Sequence, residues 1–425
     1  MNEQKVRMLQ SKRFKNLYMD DGINLNDLNI FIGPNCSGKS NLISILKFLK
    51  DCIVAGSEGE QGGKYENAVS QLGGTNILDK GINTPSDINF SYHFSKTKTI
   101  PTGLNLDIKL FIGARDSKVT IKEESLYDSI QIQETPFYYY KYHDREIGKG
   151  VVSCYDDSNK KSSHFEHVNS IPNDSLGLNL THKLLEDSEN PPERTPVYKI
   201  ARELTDTISN WYFYNSNDMN LKKIRTSEPK IGPSDIYLSK SGHNLALVIE
   251  NLIQQDIDFE ESLNKSMRSI LPITRRFRPA RTGLMSVNLQ WYFEGFNECF
   301  YLNEMSDGAV RMLCWAAILL SPKMPALLVI EEPELGLHVS WMPILAEWIK
   351  IASQKTQVII STHSPDLLDY FTDQIENVHC FSSGDGKYFT INSISKNNLQ
   401  EKFNEGWKLG DLYRVGDPTV GSWPW

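Results

Sequence analysis

One stretch limits the choice of fold more than any other: Asn29-Ile30-Phe31-Ile32-Gly33-Pro34-Asn35-Cys36-Ser37-Gly38-Lys39-Ser40-Asn41-Leu42. The apolar run Leu28, Ile30, Phe31 and Ile32 predicts a buried strand, and Leu42, Ile45, Leu46 and Leu49 recur at helical spacing after it. Between them stands G-x-x-x-x-G-K-[ST]. Its glycines let the backbone curl until successive N–H groups point inward and cradle phosphate oxygens. Lys39 adds positive charge for β- and γ-phosphates, and Ser40 offers a hydroxyl to Mg²⁺. The positive end of the following helix faces the same anion. Gly33, Pro34, Asn35, Cys36, Ser37, Gly38, Lys39, Ser40 and Asn41 thus form a candidate nucleoside-triphosphate loop.

A second buried strand, Ala326-Leu327-Leu328-Val329-Ile330, ends in Glu331-Glu332-Pro333-Glu334. Five apolar residues in a row fit a central parallel strand covered on both faces, and such sheets place ligand chemistry at strand C-terminal ends. On this reading Glu331 holds Mg²⁺ through water, and Glu332, one residue on and pointing elsewhere, polarises the attacking water. A third strand, Gln357-Val358-Ile359-Ile360, runs into Ser361-Thr362-His363-Ser364-Pro365. A lone histidine is more often structural, yet beside the Glu331 strand His363 could reach a γ-phosphate. Ser306 precedes an apolar helix as a good N-cap, and Gly308 leaves backbone N–H groups open to an anion. A plain helix cap explains the same two residues.

With 425 residues the chain suggests two or three packed units, and 40% hydrophobic with 23% charged residues is ordinary for a soluble protein. A net charge of −8 means that any nucleic-acid contact needs a local basic patch. The densest basic cluster is Arg275-Arg276-Phe277-Arg278-Pro279-Ala280-Arg281, which suits phosphates, a solvated face or a partner-binding edge. Six cysteines without C-x-x-C spacing, no signal peptide and no apolar run of membrane length predict a cytoplasmic protein with free thiols.

Residues 4–14 and 23–32 predict two strands, 57–75 a Gly- and Glu-rich loop, and 88–155 an antiparallel β unit. In that unit Phe137-Tyr138-Tyr139-Tyr140 reads as a half-buried strand or a stacking platform. Residues 156–195 predict polar connections, including His164-Phe165-Glu166-His167, which lacks a second pair at metal spacing. Helices are expected over 197–214 and 243–271. The aromatic C-terminal residues Trp407, Tyr413, Trp423 and Trp425 pack either on the core or on a partner protein.

These pieces, in this order, resemble the ATPase heads of the ABC class. Gly33–Ser40 resembles the Walker A loop, Leu327–Glu332 the Walker B strand with its catalytic glutamate, and Ser306-Asp307-Gly308 the signature motif. Glu334-Leu335-Gly336-Leu337-His338 is similar to the D-loop region, and His363 to the switch histidine. Gln71 stands where a metal-binding Q-loop glutamine is sought, or in an ordinary loop. The long insertion is similar to RecF, structural-maintenance-of-chromosomes and OLD-type heads, in particular to stand-alone bacterial ATPases of phage-defence and toxin-like operons. The resemblance is specific over 1–50 and 235–395. It departs from the common pattern at Glu331, where aspartate is usual, and at Val339, where proline is usual.

The resemblance implies an α/β, three-layer P-loop NTPase fold with an inserted antiparallel β and helical region. The expected segments are 1–87 and 236–395 for the ATPase halves, 88–235 for the insertion and 396–425 for an aromatic tail. It further implies ATP and Mg²⁺ as cofactors and a dimer closed around ATP, with Ser306 and Gly308 serving the partner subunit. Turnover would gate a separate effector protein. The alternatives are an ATP-dependent sensor scaffold with negligible turnover and a RecF-like DNA-repair ATPase. Metal-dependent nuclease chemistry is not expected in the 62 residues after His363.

Overall fold

The computed structural model describes residues 4–54, 64–97, 100–113, 118–130, 136–146, 149–156, 164–172, 175–179, 196–230, 232, 235–283, 285–383 and 386–421. The chain forms two compact units, each drawn from distant stretches of sequence. The first comprises 1–26, 34–211 and 381–392, the second 27–33, 212–380 and 393–425, so their borders differ from those of the sequence segments.

In the first unit, β1 (Val6–Phe14), β2 (Leu17–Asn24), β4 (Ser86–Phe94), β5 (Leu104–Ile112), β6 (Val119–Asp128), β7 (Tyr138–Glu146), β8 (Lys149–Asp156) and β9 (His164–Pro172) pair antiparallel in the order β2-β1-β4-β5-β6-β7-β8-β9. The strands near the N-terminus number three, not two, because Lys15-Asn16 turns the chain between β1 and β2 before β3 (Leu28–Ile32) begins. Alternation in β4 buries Ile88, Phe90, Tyr92 and Phe94 on one face. Against that face packs α1 (Lys39–Ile53): Phe48 meets Phe90, and the Tyr92 hydroxyl donates to the Ile45 carbonyl at 2.8 Å. Removing such a ring from the core would cost about 3–5 kcal/mol.

The expected loop over 57–75 gives way to α2 (Lys64–Leu72), whose buried Tyr65, Ala68, Val69 and Leu72 pack inward. The polar connection expected over 156–195 contains β9, so His164-Phe165-Glu166-His167 lies in a strand and not in a loop. Glu186–Arg194 lies outside the described residues. Helix α3 (Pro196–Ser209) stops at Ser209, and the aromatic group beyond it forms β10 (Trp211–Asn215), because aromatic residues suit a pleated, half-buried surface. Phe137 is exposed, whereas Tyr140 and Tyr142 are buried, which makes the tyrosine run a half-buried strand.

The second unit holds a sheet in the order β10-β14-β15-β3-β16, formed with β14 (Leu327–Glu331), β15 (Gln357–Ser361) and β16 (Val378–Ser382), of which β14, β15, β3 and β16 run parallel; within the first unit β17 (Phe389–Ser393) pairs with β2. Leu28–Ile32 is buried at all five positions, as expected of a strand covered on both faces. Helices α4 (Leu221–Thr226), α5 (Leu245–Gln255), α6 (Ile257–Arg268), α7 (Asp307–Leu319), α8 (Met342–Ser353), α9 (Pro365–Leu368), α10 (Lys396–Asn404) and α11 (Leu409–Arg414) complete it. The helix expected over 243–271 is two: Asp256 leaves helical geometry and caps α6 through the Asp258 N–H. A separate antiparallel sheet, β11 (Thr274–Thr282), β12 (Ser286–Phe293) and β13 (Phe300–Tyr301), packs its apolar face into the same core.

Candidate nucleotide site

In the first unit the loop after β3 narrows onto the start of α1. Gly38 caps the helix at φ 96°, with no side-chain cap, and Cys36 also has a positive φ. A Cβ on Gly38 would lie 2.4 Å from Leu17 Cδ2, so both the left-handed backbone and the close strand demand glycine. Lys39 is buried and folds back over the loop, its Nζ donating to the Pro34 carbonyl at 2.8 Å and to Ser37 Oγ at 3.3 Å. Asn35, Cys36 and Ser40 face solvent. A curled, glycine-bounded backbone with one inward ammonium fits a triphosphate.

Two residues of the β1–β2 turn escaped the sequence reading. Asn16 donates to the Cys36 carbonyl at 3.0 Å and accepts from Asn41 Nδ2 at 2.9 Å. Lys15 Nζ lies 3.1 Å from Asn41 Oδ1, and burial lowers its pKa. Neither carries a spacing signal in the sequence. Gln71 sits exposed in the last turn of α2, not in a loop.

In the second unit the parallel register places Glu331 opposite Ser361, and Ser361 opposite Phe31, so β14, β15 and β3 end side by side. Gly33, the first loop residue, belongs to this unit. Glu332 turns away from the strand at φ 50°, held by its N–H to the Ser361 carbonyl at 2.9 Å and by the Ser216 hydroxyl on its own carbonyl. A left-handed glutamate costs of order 1–3 kcal/mol and is characteristic of functional positions. Its Oε1 stands 4.0 Å from His363 Nε2. Both side chains are partly exposed.

Glu334 is the carboxylate whose individual role sequence did not single out. Its Oε1 accepts from Thr362 Oγ1 at 2.6 Å and from the His363 N–H at 3.1 Å, which ties the switch-like segment to the acidic strand end. Burial raises its pKa against those two hydrogen bonds, and the Glu332 charge adds to the rise. Glu334 Oε2 is buried without a hydrogen-bond partner, an acceptor suited to a water beside a metal or nucleotide. Among the described residues no three His, Cys, Asp or Glu side chains converge into a metal cage. Mg²⁺ asks for none, since it takes one or two protein ligands with phosphate oxygens and water.

Ser306 accepts from the Ala309 N–H at 3.3 Å as the N-cap of α7, so the plain-cap reading holds locally. Gly308 meets Trp341: a Cβ there would lie 2.8 Å from the indole. Asp307 pairs with Arg225 at 2.6 Å. In the C-terminal segment Leu409, Leu412 and Val420 are buried in the core, and Tyr413 Oη donates to the Gly33 carbonyl at 3.0 Å. Burial raises the Tyr413 phenol's pKa. Tyr413 therefore packs on the protein itself, Trp407 stays exposed, and Trp423 and Trp425 lie outside the described residues.

Over residues 28–369 the sequence matches the family described as AAA domain, putative AbiEii toxin, Type IV TA system. The chain belongs to that family. Comparison with curated proteins gives no match. Among solved structures, a SmcHead bound to the C-winged helix domain of ScpA superposes with a TM-score of 0.54 at 11% identity, covering 93% of this chain and 99% of that one. The SMC head domain from Thermotoga maritima gives 0.42 at 12% identity, covering 92% and 99%. The fold is thus that of an α/β P-loop ATPase of the ABC and SMC type. No helix among the described residues is long and apolar enough to cross a membrane.

Proposed function

We propose that this chain binds ATP with Mg²⁺ in the Gly33–Asn41 loop and hydrolyses it, with Glu332 as the base for the attacking water and His363 beside the γ-phosphate. The reading rests on one observation above the others: Glu332 is held in a strained left-handed conformation within 4.0 Å of His363. Bound Mg²⁺ would neutralise charge on the β- and γ-phosphates; Ser40 and Glu331 are its proposed ligands, with Gln71 as a further candidate. Glu334 keeps the Thr362–His363 backbone in place by accepting from both residues.

Two copies would close around ATP, with Ser306 and Gly308 of each serving the nucleotide of the other, and opening on hydrolysis would gate a separate effector protein in the cytoplasm. The family description, which names a toxin–antitoxin system, favours an anti-phage or toxin-related role. The SMC head seen in complex with ScpA favours a partner on another polypeptide. Glu332→Gln tests the scheme. It preserves size and hydrogen bonding, so ATP should bind while phosphate release falls about 10²- to 10⁴-fold. With ATP the variant should double in mass by light scattering. Parental turnover removes Glu332 as the base, and a mass independent of ATP removes the closing dimer.

A further inference from the structure

The three-stranded sheet of the second unit carries chemistry that nucleotide turnover does not use. Its edge strand, β11, holds Arg275, Arg276, Arg278 and Arg281, all exposed. Among the described residues none of these four guanidinium groups forms an ion pair with a carboxylate. Like charges crowded on one strand repel, and the chain is acidic overall, so the cluster is not a by-product of general basicity.

Register separates the two faces. Phe277 lies opposite Trp291, and both are buried with Val287, Leu289 and Phe293. On the other face Arg276 stands opposite Tyr292 and Arg278 opposite Gln290, which in turn faces Tyr301 of β13. The Arg276 guanidinium carbon is 5.4 Å from the Tyr292 ring centroid. Tyr292 Oη donates to Gln290 Oε1 at 3.0 Å, and Gln290 Nε2 reaches Tyr301 Oη at 3.4 Å. The face is therefore a linked layer of planar cationic, aromatic and amide groups. The nearby carboxylates stand at its margins: Glu228 accepts from Thr282, Glu304 accepts from the Tyr301 N–H, and Glu294 follows the end of β12. Lys230, bridged to Ser286, adds a further exposed cation.

Charge on an edge strand blocks sheet-to-sheet pairing, but one or two residues suffice for that, and it acts along the edge and not across the face. Guanidinium groups two residues apart, about 7 Å along a strand, suit successive phosphates, and arginine grips phosphate bidentately. Half-exposed tyrosine rings suit unstacked bases. We propose that the outer face of this sheet binds single-stranded nucleic acid, with Arg276 and Arg278 on backbone phosphates and Tyr301 offering its ring to a base. Arg275, at the register shift beside Arg276, and Lys230, opposite Ser286, extend the phosphate track, whereas Arg281, opposite Val287, belongs to the other face.

The test is fluorescence anisotropy of the full chain with labelled single-stranded DNA, RNA and duplex DNA of about 20 nucleotides, between about 50 and 200 mM salt. The wild type should bind single strands saturably and more tightly than duplex. Arg276→Ala/Arg278→Ala should weaken binding about tenfold or more and reduce the slope of log K against log salt by about 1.4, two phosphates' worth for a single strand. Tyr301→Ala should weaken single-strand binding alone. Lys222→Ala/Lys223→Ala removes the same charge from exposed positions on α4 and should leave binding within about twofold, with Tm unchanged in all variants. Absence of wild-type binding, equal loss in the α4 control, or a polyglutamate peptide competing as well as DNA would each overturn the proposal. The last result would make the face a docking site for acidic protein.

Discussion

Helices α1 and α7 begin in opposite ways. Helix α1 starts at Gly38, with a left-handed cap residue and no side chain closing its first turn. Helix α7 starts at Ser306, whose hydroxyl accepts from the Ala309 N–H, while Asp307 is paired with Arg225. A helix leaves four N–H groups without intrahelical partners, and whatever meets them decides the use of that end. In α1 the chain supplies glycine and a lysine curled over the loop, a geometry that an anion completes. In α7 it supplies its own cap, so the helix stands unaided and any anion it meets adds to a finished structure. The first leaves its end open to an anion, and the second closes its own.

The sharpest way to break this contrast is at the loop. Gly38→Ala would force a left-handed alanine against Leu17 and should abolish ATP binding with a lowered Tm. Lys39→Ala separates charge from geometry, and calorimetry should show ATP binding weakened about 10- to 100-fold, the worth of a charged hydrogen bond. Unchanged affinity in both would remove the loop from the site.

A smaller effect is expected at the other helix. Ser306→Ala should cost about 1 kcal/mol of stability by chemical denaturation, through the lost cap. Affinity of the isolated chain for ATP should not change, but ATP-dependent association should. If affinity fell while association persisted, α7 would serve its own subunit and the contrast would fail.

The smallest effect concerns the sheet that carries β3. His379 is buried beside Phe31 with Nε2 3.2 Å from Asn29 Oδ1, and burial lowers its pKa to about 4. The unfolded chain therefore binds a proton that the folded chain refuses. This stability is fully present above about pH 6.5 and is lost as pH falls from there toward 4. His379→Gln should flatten that part of the profile of Tm against pH. An unchanged slope would mean that other groups set it.

Where the sequence was read correctly, the information was local. The strands before Gly33 and Glu331 announce themselves by apolar runs, and the helix after Gly38 by its spacing. Where it was misread, a competing local signal won. Glycines and glutamates around 57–75 masked α2, and the polar sequence around 156–172 passed for a connection although it holds β9.

The sequence by itself determined a glycine-bounded loop between strand and helix, a buried strand ending in two glutamates, the order of those pieces, and through them the class of fold. Tertiary structure alone decided what no spacing can carry. Glu334 grips Thr362 and His363 from 28 and 29 residues away, and Tyr413 reaches Gly33 across 380. It also decided that Arg276 and Arg278 share an open face with Tyr292 and Gln290, since only register tells which side of a strand its neighbours occupy. Backbone conformation is written residue by residue, whereas convergence of side chains depends on how strands align after the chain has closed on its core.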